Sequence, residues 1–480
     1  MQFTSWAFAP FLTIVFFLFW LAPIRFRWIV CLAASYAFYL SWGIKFSILL
    51  LVTTIITYFT AIFLEKSKTS SSRKMILAVS VCLILSGLFF FKYFNFFTKT
   101  AADVLGIFGI YFAPLTLKLM LPVGISFYTF QSIGYIADVY RGKISAERHF
   151  GYYALFVSFF PQILSGPIGR APSLLGQLRC ESDFDPELAA YGLKQMGWGF
   201  FKKLVIADVL AGYTSIVYDN PQDLSGFVFV LAAFFYGIQI YCDFSGYSDI
   251  AIGLAKLLGI NLTTNFKCPY FSAGMKDFWS RWHISLSTWF RDYVYIPLGG
   301  NRVSKPRHFF NILITFLLSG LWHGANLTFV VWGALHGVFR SLEDLIWGKR
   351  KSAGKVIPFI RTIGTFVIAD VLWIFFASAS IKDALHIIGH AFDNISAPVA
   401  YVQYGLAVLN LGGDNKIRLI IILITILILT LYDLVDRKTD CIKWVTERKR
   451  PVKYTIYVLV ILAVVFMHSS TPAQFVYFNF

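Results

Sequence analysis

The stretch HFFNILITFLLSGLWHGANLTFVVWGALHGVF, residues 308–339, runs for 32 residues without an Asp, Glu, Lys or Arg. An apolar helix crosses a lipid core of about 30 Å in about 20 residues. One straight helix of this length would reach about 48 Å at about 1.5 Å per residue. The run must therefore tilt strongly, project from the membrane or break in the middle. Gly320, Gly324 and Asn326 supply a break at the midpoint, and His323 sits there between Trp322 and Gly324.

The rest of the chain has the same character. Of 480 residues, 58% are hydrophobic, 19% aromatic and 14% charged, against about 25% charged in a soluble globular chain. Disorder, a secreted disulfide scaffold and a soluble Rossmann or barrel enzyme are excluded on that balance. Uncharged runs of spanning length or near it cover residues 1–24, 46–64, 75–91, 119–137, 224–242, 419–432 and 454–469. Shorter candidates are 28–42, 152–164, 250–260 and 362–376, the last two interrupted by Lys256 and Asp370. The fold class is all-α: a polytopic transmembrane helical protein of about 11 spans with re-entrant and interfacial helices. No repeat, linker or soluble-domain boundary divides it, so residues 1–480 are expected to form one membrane domain.

The net charge of +17 fits basic cytoplasmic loops that set orientation, and no nucleic-acid partner is expected. The clusters are Lys66/Lys68/Arg73/Lys74, Arg141/Lys143/Arg148, Lys349/Arg350/Lys351/Lys355 and Arg437/Lys438 through Arg448/Lys449/Arg450/Lys453. Residues 1–24 carry no charge and no basic leader, and read as a first retained span. Cys31, Cys82, Cys180, Cys242, Cys268 and Cys441 show no CxxC. They suggest neither a disulfide set nor a metal framework.

Three other regions depart from plain spans. In KDFWSRWHISLSTWFRDYVYIPLGG, residues 276–300, Phe278, Trp282, Leu286, Trp289 and Tyr293 recur at helical spacing as one apolar stripe. A charged back opposite that stripe suits an interfacial helix, ended by Pro297 and Gly299–Gly300. His283 lies at its edge, where a hydrogen-bonded interfacial role competes with a catalytic one. In residues 241–249, YCDFSGYSD, Asp243 and Asp249 stand between two apolar segments, with Asp243 placed to cap the second. Residues 160–168, FPQILSGPI, read as a broken or re-entrant element. His323 is an ionisable group deep in an apolar run, hence a functional candidate, with hydrogen-bonded glue between helices as the plain alternative. His336 would lie about 20 Å from His323 on a continuous helix. No metal site is expected from that pair, and Gly333 with Gly337 reads as a helix-packing pair.

RWHISLSTWFRDYVYIPLGGNR (281–302) and LSGLWHGANLTFVVWGALHG (318–337) resemble the membrane-bound O-acyltransferase family. They are most similar to its bacterial branch that includes alginate O-acetyltransferase. LPVGISFYTFQSIGYIADVYRG (121–142), FFPQILSGPIGR (159–170) and YCDFSGYSDIAIGLAKLLGI (241–260) fit the same branch in the same order, so residues 121–340 form the motif-dense core. The resemblance implies helices wrapped around a central funnel, the family's essential histidine at His323 and its second polar position at His283. Trp282, Trp322 and Asn326 would line the reaction centre, and Asp243 and Asp249 would support it.

By that resemblance, acetyl-CoA is the donor substrate in the cytosol and no cofactor is bound. The acceptor is a polysaccharide such as alginate or peptidoglycan, reached directly or through a separate extracytoplasmic acetyltransferase. The location is the bacterial inner membrane, among membrane lipid. His323 would take the hydroxyl proton as general base or carry the acyl group itself, and His283 would orient the donor. Arg281, Arg291, Arg302, Lys305 and Arg307 either attract the donor's phosphates or serve as ordinary inside charge. No G-x-S-x-G or Ser-His-Asp order is present. D-alanyl transfer to teichoic acid from a carrier protein, or transport of a polar solute, are the alternatives.

Overall fold

The computed structural model describes residues 1–179, 183–346, 356–467 and 474–476. Cys180 and the basic cluster at Lys349, Arg350, Lys351 and Lys355 lie outside them, as does the end of the apolar run at 454–469. Every regular element among the described residues is helical. Six helices are long and apolar enough to cross a membrane: Ile44–Lys66, Ser70–Ile107, Phe227–Leu257, Phe359–Ala377, Gly413–Asp436 and Arg450–Met467.

The expected run at 1–24 folds as Phe8–Leu21, only 14 residues, and 119–137 as Ile125–Tyr140, 16 residues. Both are shorter than a perpendicular crossing requires. The runs at 224–242 and 250–260 are not separate. They belong to one helix of 31 residues, Phe227–Leu257, because the polar residues between them find partners on other segments, Asp243 on Lys203, Ser245 on Lys202 and Asp249 on Lys202 and Gln195.

By contact the chain forms two compact units, residues 1–193 with 251–263 and residues 194–250 with 264–480. In the first, Ile44–Lys66 packs against Ser70–Leu88 and Ile125–Tyr140. Its buried threonines satisfy their hydroxyls within the helix, as Thr54 does on the Leu50 carbonyl at 2.8 Å, and tie it to neighbours. The Tyr153 hydroxyl donates to Thr57 Oγ1 at 2.6 Å, and Thr60 meets Ser80 at 2.7 Å. Such bonds replace the hydrophobic drive that lipid removes.

The element expected at 160–168 is a short buried helix, Phe160–Ile163, followed by a turn. Gln162 Nε2 donates to Gln131 Oε1 at 2.6 Å and the Phe160 N–H to Ser35 Oγ at 3.1 Å. Protein thus covers the irregular backbone, as lipid could not. Gly124, at φ +77°, lets the Ile163 carbonyl approach where a Cβ would stand.

A helical run from Pro186 to Tyr218, in the second unit from Lys194 onward, passes through a π-helical stretch, Phe201–Ala207. It has no counterpart among the apolar runs, since Lys194, Lys202, Lys203 and Asp208 interrupt it. At Gly199 and Gly246 it meets Phe227–Leu257 so closely that a Cβ on either glycine would lie 2.7 or 2.8 Å from the other's carbonyl oxygen.

Candidate active site

Every side chain singled out from the sequence lies in the second unit. The 32-residue run does break: Lys305–His323 ends at the histidine, and Leu327–Ile346 returns beside it. Small residues let the two helices touch. A Cβ on Gly320 would strike the Phe329 carbonyl, one on Gly333 that of Phe316, and one on Gly337 would lie 3.3 Å from Leu313 Cα. Asn326 starts the returning helix. Its Oδ1 accepts from the Thr328 N–H at 3.2 Å, and its Nδ2 donates to the Ala379 carbonyl at 2.8 Å. Both polar ends of this residue therefore hold the break itself.

His323 is 2% exposed, with ring centroids of Trp322 at 5.0 Å, Trp332 at 5.1 Å and Phe376 at 5.3 Å. Because the helix folds back, His336 joins this group. Trp332 lies 4.6 Å from the His336 ring, and Trp279 Nε1 donates to His336 Nδ1 at 3.3 Å. The continuous-helix separation is replaced by a shared tryptophan.

The stripe at 276–300 is not one helix. It divides into Met275–Arg281 and Ile284–Phe290 and then a π-helical turn, Arg291–Tyr295. His283 sits at the division in the left-handed region, φ +44°. Its ring meets Phe244 at 4.6 Å and Trp322 at 5.9 Å, so Trp322 lies between His283 and His323. Burial pushes the His283 imidazole down to about 3. Trp282 faces a different set, Trp373 at 4.9 Å and Phe266 at 5.1 Å.

Asp243 is no helix cap. It stands in the middle of Phe227–Leu257, its Oδ1 2.6 Å from Lys203 Nζ and its Oδ2 accepting the Val476 N–H at 2.7 Å. Lys203 also pairs with Asp208 at 2.7 Å. Asp249 pairs with Lys202 at 2.5 Å and accepts from Gln195 Nε2 at 3.0 Å. The two aspartates therefore neutralise buried lysines, and the π-helical stretch is what buries both consecutive lysines.

Lys202, Lys203, Asp208 and Asp433 escaped the sequence reading. Asp433 accepts from the Tyr241 hydroxyl at 3.0 Å, and the Tyr241 ring lies 6.2 Å from Trp282. Adjacent lysines inside GWGFFKKLVIAD were the available signal. Of the basic residues, Arg281 and Arg291 pair with Asp277 and Asp292 at 2.7 and 2.8 Å, while Arg302, Lys305 and Arg307 are exposed.

A family model, "MBOAT, membrane-bound O-acyltransferase family", matches residues 144–381. The "Probable alginate O-acetylase AlgI" of Azotobacter vinelandii is 36% identical over 424 residues, 88% of this chain and 82% of that protein. The chain belongs to the membrane-bound O-acyltransferase family. It is an acyltransferase of that family's multi-pass bacterial membrane type, which sets the transporter reading aside. The "Peptidoglycan O-acetyltransferase" of Helicobacter pylori is 34% identical, over 75% of this chain and 72% of that protein. The "Teichoic acid D-alanyltransferase" of Streptococcus thermophilus reaches 32% over 50% of this chain and 61% of that protein.

Proposed function

We propose that the protein moves an acetyl group from a cytosolic thioester, acetyl-CoA, across the membrane for O-acetylation of an extracytoplasmic polysaccharide such as alginate or peptidoglycan. The observation that carries the reading is His323 itself, buried at a helix break and ringed by Trp322, Trp332 and Phe376. A hydroxyl is a poor nucleophile at neutral pH. His323 removes its proton as the oxygen attacks the thioester carbonyl. The C–S bond then breaks, and the proton passes to the departing thiolate. General-base assistance of this kind is worth about 10² to 10⁴ in rate. His283, one tryptophan away, orients the donor. The attacking hydroxyl belongs to the polysaccharide itself or to a separate extracytoplasmic acetyltransferase, which then passes the acetyl group on to the polymer. The longer coverage of the O-acetyl relatives favours this over D-alanyl transfer.

The test is transfer from radiolabelled acetyl-CoA in membranes carrying wild type or His323→Ala. Label is expected in polymer or partner with wild type only, at equal membrane insertion. Retained transfer by the variant removes His323 from the reaction. Transfer supported by a phosphopantetheinyl carrier protein and not by coenzyme A moves the assignment to D-alanylation.

A further inference from the structure

Residues 265–267 run beside the division at Trp282 and His283. The Lys267 N–H donates to the Arg281 carbonyl at 3.0 Å, and the Ile284 N–H donates to the Asn265 carbonyl at 2.9 Å. These two bonds bracket the division and pair backbone groups that an unbroken helix would satisfy internally. Asn265 adds its side chain. Oδ1 accepts from both the Ser285 N–H at 3.1 Å and the Ser285 hydroxyl at 2.9 Å, and Nδ2 faces Ser248 Oγ at 3.4 Å. The residue is fully buried. The amide oxygen thus serves the first turn after His283, while the amide nitrogen faces Ser248.

That turn is where the strain is. His283 has φ +44° and ψ +53°, a conformation that crowds the Cβ of an L-residue against the following carbonyl and persists only where the surroundings impose it. The left-handed step separates two adjacent side chains. Trp282 goes to Trp373, Phe266 and Phe278, and His283 goes to Phe244 and Trp322, with Phe266 also 6.5 Å from the His283 ring. Without that step the helical periodicity of 278, 282 and 286 would continue, and His283 would leave the Trp322 ring that it shares with His323.

The geometry points to Asn265 as a positioning residue of the acyl-transfer centre: its amide holds His283 in the left-handed conformation that presents the imidazole to Trp322. This rests on the proposed role of the His283–His323 pair. Asn265 acts through Ser285 and the backbone of Ile284.

The test uses the full chain purified in detergent, with two readouts. One is acetyl transfer, split into kcat and KM for acetyl-CoA. The other is carbethoxylation of individual histidines by diethylpyrocarbonate, read by peptide mass spectrometry, which needs no activity. Asn265→Ala is expected to lower kcat by about a hundredfold, the scale of a misplaced group, with KM within about twofold. His283 becomes modified while His336 stays protected as in wild type. A folded Asn265→Ala protein with transfer within about twofold of wild type and His283 still protected overturns the assignment.

If Asn265→Ala does not fold, Ser285→Ala decides, since it removes one bond to Oδ1 and leaves the backbone bond. Lower kcat with raised His283 modification supports the inference, and no change in either overturns it. If wild type itself transfers no acetyl group, the functional proposal fails while the modification readout still judges Asn265.

Discussion

An imidazole as deeply buried as His283, pushed down to about 3 by that burial, takes up its proton near pH 6.5 in the unfolded chain and far lower in the folded one. Between those two values the unfolded state binds more protons, so stability falls as pH falls. The stabilising contribution is complete above about 6.5 and declines by up to about 1.4 kcal/mol per pH unit below it. Thermal unfolding of the detergent-solubilised protein is therefore expected to shift to lower temperature from pH 7 to pH 4. His283→Gln, which cannot take up the proton, should show a shallower decline. Equal slopes for the two proteins would mean that His283 is not the buried group responsible. His283 lies outside the six spanning helices, so the measurement reports on the site and not on a membrane segment.

At the scale of the element, two contacts between helices carry the second unit. Lys203 sits between Asp208 and Asp243 at 2.7 and 2.6 Å, with all three side chains buried. Lys203→Met leaves two carboxylates facing each other in a dry interior, and breaking a buried pair costs about 3–5 kcal/mol. Little folded protein is expected by size-exclusion chromatography, and Lys203→Met combined with Asp208→Asn and Asp243→Asn should recover part of it. Gly333→Leu forces apart the hairpin that holds His323, because a Cβ at this position would strike the Phe316 carbonyl oxygen. Overpacking of this kind costs about 1–3 kcal/mol, and a fall in melting temperature together with lost transfer is the expected outcome.

These elements also mark how far the sequence could be read. The hairpin was legible, because a 32-residue run without charge cannot be one spanning helix and its glycines fall at the midpoint. So was the short element at Phe160–Ile163. The break at His283 was hidden, since the aromatic spacing of Phe278, Trp282, Leu286 and Trp289 runs straight across it. What breaks the helix is Asn265, on a separate segment, and no local pattern encodes that bond. The lysine–aspartate network was hidden for a related reason. In a chain of net charge +17 a lysine reads as inside charge, and only the fold brings Asp243 and Asp433 to the π-helical turn. Asp243 likewise looked like a cap because its helix was read as two.

For the whole molecule, orientation follows from where charge gathers at the ends of the spans. At one end of the Lys416–Asp436 helix stand Arg437 and Lys438, followed by Lys443, Arg448 and Lys449 before the next span, whose first turn holds Arg450 and Lys453. At the other end Lys416 and Arg418 adjoin Asp414. By the positive-inside rule the excess of basic residues predicts that the 437–453 segment lies in the cytosol, the side from which the proposed reaction draws its thioester donor. The helix between them is 21 residues, about 32 Å at about 1.5 Å per residue, enough to carry the chain to the opposite face. In a background with all six cysteines replaced, Arg448→Cys should react with a membrane-impermeant maleimide only after spheroplasts are opened. Asp414→Cys should react in intact spheroplasts. The reverse pattern would set residues 437–453 outside. Acetyl-CoA would then have no route from that face, and the proposed direction of transfer would have to be reversed.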